Sequence, residues 1–426
     1  MKAHLRMVGC RLNQSEIESM ARQFQDMGHE VVERPEDADH FILNTCAVTQ
    51  EASKTSRKLV REFHRSNPQA ETTVTGCYAQ IAPKELDTLP GVARVIGNAD
   101  KEDLVSFVTG EEIKVFDSEP IERRPPVRSP GRTRAFVKAQ DGCDNECTFC
   151  VTTIARGHGR SRTIDEVLRE VNTLRQLGYQ EAVLTGVHLG SYGHDLGRVD
   201  GLARLVRALL RHSDMPRLRL SSLEPWDLAP GFFELWQDPR LCRHLHLPLQ
   251  SGCDATLKRM RRNTNQEAFR ALMQAARETI PGARITTDVI VGFPGETDRE
   301  FATSRAFIEE MRFDGLHVFR YSSRPGTPAS RMKHQVSGQV KRGRSAELLA
   351  ISDSMEENFA ARLAGRYQNV LWEQITGATP DGFVHTGYTD TYMRVKAVHP
   401  RNLCNRVCAT DLGEYTDGVI HGTVRL

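Results

Sequence analysis

Short apolar runs alternate with amphipathic helical stretches along the first three quarters of the chain, after which the apolar period shortens from helical to alternating. Within residues 1–120, segments 3–8, 40–45 and 71–75 read as short buried strands, and helical patterns over 14–27 and 50–64 follow the first two. That order predicts an α/β unit with a parallel sheet. From 134 to about 320 six more strand patterns, 135–139, 182–184, 217–221, 244–249, 284–291 and 316–321, alternate with helices. In the helix expected over 164–177, Ile164, Val167, Leu168, Val171 and Leu174 share one face and Gly178 is the stop. Six βα units predict an incomplete TIM-like (β/α)6 barrel with its chemistry at the C-terminal ends of the strands. Residues 339–363 read as a long closing helix. Beyond Gly365 the pieces 369–375, 392–398 and 419–425, with turns at Asp381-Gly382 and Asp417-Gly418, predict a small antiparallel β-barrel of OB-like type. A Pro- and Arg-rich stretch before residue 133 reads as a linker, whose Arg123, Arg124, Arg128 and Arg132 suit solvated charge or phosphate contact. The expected division is therefore 1–120, a linker at 121–132, 133–363 and 364–426.

Composition narrows the class only slightly. At 426 residues the chain exceeds one ordinary core, and 39% hydrophobic with 26% charged residues describe a globular protein. A net charge of +2 neither demands nor excludes nucleic acid. No apolar run approaches membrane-spanning length and the first ten residues lack a long apolar segment, so a cytoplasmic protein with no membrane partner is expected. Ten cysteines in a reducing compartment read as metal ligands, catalytic groups or packed thiols rather than disulfides.

Six of those cysteines form two patterns. Cys143-x3-Cys147-x2-Cys150 offers three thiols with no nearby fourth. Structural zinc usually takes four protein ligands, whereas a [4Fe–4S] cube held by three leaves one iron open to chelate a small molecule. Cys10, Cys46 and Cys77 each stand at the exit of a predicted strand, 36 and 31 residues apart. A parallel sheet would bring them to one edge, where open α/β sheets gather ligands. Pattern alone leaves two readings for them, a shared metal site or three buried thiols. Cys242, Cys253, Cys404 and Cys408 complete no site and read as packed thiols, and His158 and His188 as hydrogen-bonded structural residues.

The CxxxCxxC spacing resembles the signature of radical S-adenosylmethionine (SAM) enzymes. Taken in order, Gly9-Cys-Arg-Leu-Asn13, Leu43-Asn-Thr-Cys-Ala-Val-Thr49, Thr75-Gly-Cys-Tyr-Ala-Gln80, the CxxxCxxC loop, Ala155-Arg-Gly157 and Arg160-Ser-Arg162 resemble the radical SAM methylthiotransferases over nearly the whole chain. The resemblance implies a second, auxiliary [4Fe–4S] cluster on Cys10, Cys46 and Cys77 and a SAM-binding one on Cys143, Cys147 and Cys150. It implies that one SAM donates a methyl group to sulfur and another yields a 5′-deoxyadenosyl radical. It also implies a radical SAM barrel and a TRAM-like RNA-binding barrel at the C-terminus. Gly-Cys-Arg-Leu-Asn looks like the threonylcarbamoyl branch, against Gly-Cys-Gln-Met-Asn in the isopentenyl branch and Gly-Cys-Pro-Lys-Asn in the branch that modifies a ribosomal-protein aspartate. The implied reaction places a methylthio group on C2 of N6-threonylcarbamoyladenosine 37 of tRNA. Its implied partners are the tRNA anticodon stem-loop and an electron donor such as flavodoxin or ferredoxin. One departure stands in the loop: Val151-Thr-Thr-Ile154 follows Cys150 where the family carries isoleucine and often proline, which leaves the ligands untouched.

Position supplies the remaining candidates. Phe149, Arg156, Gly186, Ser222, Glu224 and Gln250, the last beside Ser251, are SAM candidates at strand exits or beside the cysteines, while Gly292 and Gly295 suit a tight βα turn. Arg160 and Arg162, with Tyr388, Tyr392, Arg394 and Lys396 of the small barrel, are RNA candidates. The two competing branches and a non-enzymatic, metal-containing RNA-binding module are the alternatives, and reductive cleavage of SAM separates the module from the enzymes.

Overall fold

In a computed structural model the described residues are 1–111 and 133–425, so the arginines of the linker lie outside them. They fall into two compact units. The first holds residues 1–111 with Asp141–Asn145 and Cys150–Arg160; the second holds 133–140, Glu146–Phe149 and 161–425.

The first unit is built on five strands, β1 (Lys2–Met7), β2 (Glu30–Val31), β3 (His40–Thr45), β4 (Glu71–Gly76) and β5 (Val92–Val95), all parallel in the order β2-β1-β3-β4-β5. β3 is buried along its whole length, with Phe41, Ile42 and Leu43 fully inaccessible, as a central parallel strand covered on both faces must be. Helix α1 (Arg11–Asp26) buries Leu12, Ile17, Met20 and Phe24, and α2 (Gln50–Ser66) starts at Thr49, whose hydroxyl accepts from Ala52 N–H. This strand order has its topological switch between β1 and β3, the place where doubly wound sheets open a ligand crevice. Cys10 and Cys46 follow those two strands directly.

The second unit contains six parallel strands: β6 (Arg134–Lys138), β7 (Glu181–Thr185), β8 (Arg217–Leu220), β9 (His244–His246), β10 (Arg284–Val291) and β11 (Leu316–Arg320). They form two three-stranded sheets that meet at a Leu218–Leu241 bridge, with Cys242 N–H donating to Leu218 O at 2.8 Å. This is the expected partial TIM-like barrel, with two local corrections. The third βα unit has no α-helix: Pro225 and Pro230 fix φ and lack N–H groups, and the connection is the 3₁₀ turn Phe232–Gln237. The fourth strand stops at His246, because Pro248 cannot donate to a ladder and Gln250 turns left-handed at φ 72°.

The long helix Gly338–Leu363 leads to five strands, β12 (Tyr367–Thr379), β13 (Gly382–Thr389), β14 (Arg394–His399), β15 (Val407–Thr416) and β16 (Val419–Val424), closed in the order β12-β13-β14-β16-β15. The wholly antiparallel barrel expected from sequence is corrected here. Val395 pairs with Ile420 and Lys396 with His421 in parallel, because an odd number of strands cannot alternate direction all the way around a closed ring. β13 and β15 escaped the sequence pattern because glycine and polar residues interrupt them. Gly387 is needed where it stands: a Cβ there would lie 2.3 Å from Leu371 O on the neighbouring strand. Among the described residues no helix is long and apolar enough to cross a membrane.

Candidate functional site

Two glycine-cysteine steps shape the exit edge of the first sheet. Gly9 has φ +114°, and a Cβ on it would sit 2.5 Å from Cys46 Cβ and 2.8 Å from Cys46 Sγ. Gly76 has φ +97°, and its Cβ would meet Asn44 Oδ1 and Thr45 O at 2.4 Å. Only glycine lets β1 and β4 release Cys10 and Cys77 this close to the exit of β3. Asn13, fully buried, ties the edge together by donating to Val8 O at 2.8 Å and Thr45 O at 3.0 Å.

Electrostatics at this edge suits a bound cationic centre. Burial pushes the Cys46 thiol up to about 11, the Val48 N–H pulls the other way, and the neighbouring Cys10 and Cys77 sulfurs add to the rise. Metal binding is what deprotonates a thiol held up in this way. Among the described residues no set of three or more His, Cys, Asp or Glu side chains closes around a single metal ion. A cube with one thiolate per iron spreads its ligands more widely than one ion does, and this soft, all-sulfur donor set fits it. A Gly9→Ala variant is therefore expected to bind about four fewer irons per chain than wild type on anaerobic reconstitution, read by iron and sulfide assay. Full iron content would mean the close approach is not needed.

The loop that carries the second cysteine triad has two parts. In the first unit, Gly142 adopts φ +71°, where a Cβ would collide with His158 O at 1.9 Å, and Cys143 N–H donates to Gly157 O at 3.0 Å. Cys143 Sγ accepts from Asn145 N–H and Cys150 Sγ from Thr152 N–H, both at 3.4 Å, as Cys46 Sγ does from Val48 N–H at 3.5 Å. Amides aimed at sulfur favour thiolates. In the second unit, Thr148 is pinned by Met260 O and Arg259 O, and Arg262 donates to Cys147 Sγ at 3.6 Å. The buried Arg262 also donates to Glu224 at 2.5 Å and Pro248 O at 2.7 Å and lies 4.4 Å over the Trp226 ring.

Arg156 departs from its expected place. Rather than awaiting a SAM carboxylate or an RNA phosphate, its guanidinium is buried in the first unit. It donates to Glu16 Oε1 and Asp141 Oδ1 at 2.8 Å, Asn13 Oδ1 at 2.9 Å and Cys77 Sγ at 3.3 Å. Burial works against its charge, but Glu16, the Cys77 sulfur and Asp141 outweigh that and hold it well above its ordinary value. Lys101, itself buried, donates to the other oxygen of Glu16 at 2.8 Å. Glu16, Asn13, Lys101 and Arg262 are the members of these sites that sequence reasoning missed. Of these only Asn13 carried a signal, as the end of the first motif.

At the barrel's strand exits, Phe149 packs edge-to-face on Phe293 at 6.5 Å inside a small apolar cluster. Gly186 is required by the protein's own packing, since a Cβ would come within 3.0 Å of Gln140 Oε1 and 3.1 Å of Leu189 Cα. Ser222 is exposed and Glu224 is held by Arg262. His188 is hydrogen-bonded within the fold: its ring pairs with Asp227 and its backbone N–H donates to Gln140 Oε1 at 2.9 Å. Gly292 and Gly295 form a tight turn in which Gly292 N–H donates to Glu296 at 2.7 Å. Gln250 is the outlier: a buried non-glycine residue at φ 72°, clamped by backbone hydrogen bonds to Asp288 O and from Ile290 N–H. Gln250→Gly is expected to raise stability by about 1 kcal/mol by relieving that strain, while turnover falls. Undiminished turnover would remove the side chain from the site.

The RNA candidates divide. Arg160 and, on the small barrel, Arg394 and Lys396 are exposed. Arg162 is not free for phosphate, because it donates to Lys138 O at 2.8 Å and Glu170 at 2.6 Å. Tyr388 and Tyr392 are corrected from base-stacking to docking residues. Tyr392 stacks on His244 at 5.2 Å and on Tyr388 at 4.9 Å, and its hydroxyl accepts from Arg134 at 3.0 Å. Its two faces are therefore taken by the protein itself.

Comparisons with known proteins give the family of the chain and the likeness of its fold. Residues 2–97 match the family described as Uncharacterized protein family UPF0004, and residues 137–308 match the Radical SAM superfamily. The chain is 38% identical over 398 residues to the threonylcarbamoyladenosine tRNA methylthiotransferase MtaB of Bacillus subtilis, covering 91% of this chain and 88% of that protein. It is 36% identical to MtaB of Thermotoga maritima over 402 residues, 92% of this chain and 90% of that protein. To the tRNA-2-methylthio-N(6)-dimethylallyladenosine synthase of Anoxybacillus flavithermus it is 33% identical, over 99% of this chain and 82% of that one. Among solved structures it resembles the radical S-adenosylmethionine methyltransferase TsrM from Kitasatospora setae. The TM-score is 0.58 at 16% identity, over 86% of this chain and 78% of that one, a likeness of fold alone.

Proposed function

The chain belongs to the radical SAM tRNA methylthiotransferases, and from that premise we propose that it methylthiolates C2 of N6-threonylcarbamoyladenosine at position 37 of tRNA. The observation that carries the reading is the pair of cysteine triads. One stands on the β1, β3 and β4 exits cradled by Gly9 and Gly76, and the other on the loop that follows the first barrel strand. We assign residues 1–120 to the domain of the auxiliary triad, 133–363 to the SAM-cleaving barrel and 364–426 to a TRAM-like RNA-binding barrel.

Cys143, Cys147 and Cys150 would hold the SAM-binding [4Fe–4S] cluster and Cys10, Cys46 and Cys77 the auxiliary one. When bound, these clusters supply reductive cleavage of SAM and the sulfur that is transferred. The chain's own residues prepare that chemistry. No side-chain base is asked to act on the C2–H, which has no useful acidity. Arg262 balances the negative charge of Cys147 and orients Glu224 at the exit of β8. Gln250 occupies the exit of β9 in a conformation that its backbone partners on β10 impose. Arg160, Arg394 and Lys396 offer exposed cations for the phosphates of the anticodon stem-loop. A flavodoxin- or ferredoxin-type donor would supply the electron.

Mass spectrometry of tRNA nucleosides from a deletion strain tests the substrate. The methylthio-threonylcarbamoyl nucleoside is expected to vanish and to return with the wild-type gene. An unchanged level, or loss of the methylthio-dimethylallyl nucleoside instead, would reject the assignment.

A further inference from the structure

We propose that Arg156 is a positioning residue for the cluster on Cys10, Cys46 and Cys77, and that its charged hydrogen bond to the Cys77 sulfur sets the reduction potential of that cluster. The inference rests on the auxiliary cluster proposed above. Its basis is how the guanidinium is aimed. Nη1 is shared between Glu16 Oε1 and Asp141 Oδ1, each at 2.8 Å, and Nη2 between Asn13 Oδ1 at 2.9 Å and Glu16 Oε2 at 3.3 Å. With both terminal nitrogens committed, the plane of the fork is fixed and Nε points at Cys77 Sγ, 3.3 Å away. The side chain is only 2% exposed, so water does not compete for the sulfur.

Charge neutralisation alone does not explain this geometry. Glu16 already has a buried cation in Lys101, 2.8 Å from Oε2, and the four groups Glu16, Asp141, Arg156 and Lys101 carry two charges of each sign. A pure ion network would not need the remaining N–H directed at a cluster ligand. Hydrogen bonds and positive charge at a ligand sulfur favour the more negative, reduced cluster and therefore raise its potential. The same guanidinium holds Asp141, whose carboxylate accepts from Gly142 N–H at 2.8 Å immediately before Cys143. Arg156 thus links a ligand of the auxiliary cluster to the arm that carries the first ligand of the other.

The test uses the full chain with Cys143, Cys147 and Cys150 changed to Ala, so that one cluster remains, and follows its reduction by electron paramagnetic resonance during a potentiometric titration. The parent is expected to hold about four irons. Arg156→Met should keep them and shift the midpoint to more negative potential, and Arg156→Lys should shift it less. Because Arg156→Met leaves a buried excess of negative charge, Arg156→Met with Glu16→Gln is the balanced companion. It should still show a negative shift, whereas Glu16→Gln alone, which leaves the buried cations in excess, should not move the midpoint negative of the parent. An iron-replete Arg156→Met protein with the parental midpoint overturns the proposal. So does loss of iron from both the single and the balanced variant, since Arg156 would then only hold the fold. A parent without iron would sink the auxiliary cluster itself, and this proposal with it.

Discussion

Anaerobically reconstituted protein is expected to carry about eight irons per chain, falling to about four in a Cys10/Cys46/Cys77→Ala variant and to about four in a Cys143/Cys147/Cys150→Ala variant. Both variants should lose methylthiolation completely, but they should fail differently. The first keeps the cysteines assigned to SAM cleavage and should still release 5′-deoxyadenosine, while the second should release none. The expectation rests on separate local supports. Val48 N–H and Arg156 serve the first triad, and Asn145 N–H, Thr152 N–H and Arg262 serve the second. Four irons in wild type, unchanged by the first triple substitution, would remove the auxiliary cluster and with it the source of the transferred sulfur. Full activity in a Cys46→Ala single variant would do the same.

Glu181→Gln is expected to cost about 3–5 kcal/mol of stability. Glu181 opens β7 and is inaccessible to water, with Arg219 Nε at 2.7 Å and Arg217 Nε at 2.9 Å from its two oxygens. Those arginines reach onward to the small barrel. Arg217 donates to Thr389 O at 2.8 Å and Arg219 to Asp390 O at 2.9 Å, while Arg284 donates to Tyr392 O at 3.0 Å. Removing the carboxylate leaves buried guanidinium groups uncompensated and loosens the β13–β14 connection from the base of the large barrel. Chemical denaturation should show the lost stability, and limited proteolysis near Gly365 should accelerate. An unchanged midpoint would show that the arginines are satisfied by carbonyls alone. Acid adds a second reading. Burial works to raise the Glu181 carboxyl, but Arg219 and Arg217 outweigh it and bring it from 4.5 down to about 2. A depressed carboxyl contributes stability that is complete above the unfolded value and lost as pH falls through the folded one. The wild-type stability should therefore decline from about pH 4.5 toward pH 2, and Glu181→Gln should flatten that decline.

Much of the architecture was legible before any coordinates because burial on both faces of a parallel strand leaves a continuous apolar run. β3, with Phe41-Ile-Leu43 at its centre, was bounded correctly for that reason. The three strand-exit cysteines were legible too, since each predicted strand ends within two residues of a cysteine. What failed was any inference that required knowing what a side chain faces. Tyr388 and Tyr392 beside Arg394 read as an RNA-stacking platform, and only the positions of His244 and Arg134 turn that reading toward a docking pad. Arg156 in Ala155-Arg-Gly157 looked like an anion-binding residue, and its anions prove to be Glu16 and Asp141 of the same chain.

The sequence by itself determined the order of elements, the two cysteine triads and the family, because these depend on local periodicity and on the spacing of residues along the chain. Tertiary structure alone decided the β2-β1-β3-β4-β5 order that opens the sheet between the β1 and β3 exits, and the parallel closure of the five-stranded barrel. It alone brought Glu16, Lys101 and Arg156 together around Cys77, and Arg262 beside Cys147. Side chains 85 or 140 residues apart share no period, and what joins them is the cost of burying a charge without a partner, which only the packed fold can meet.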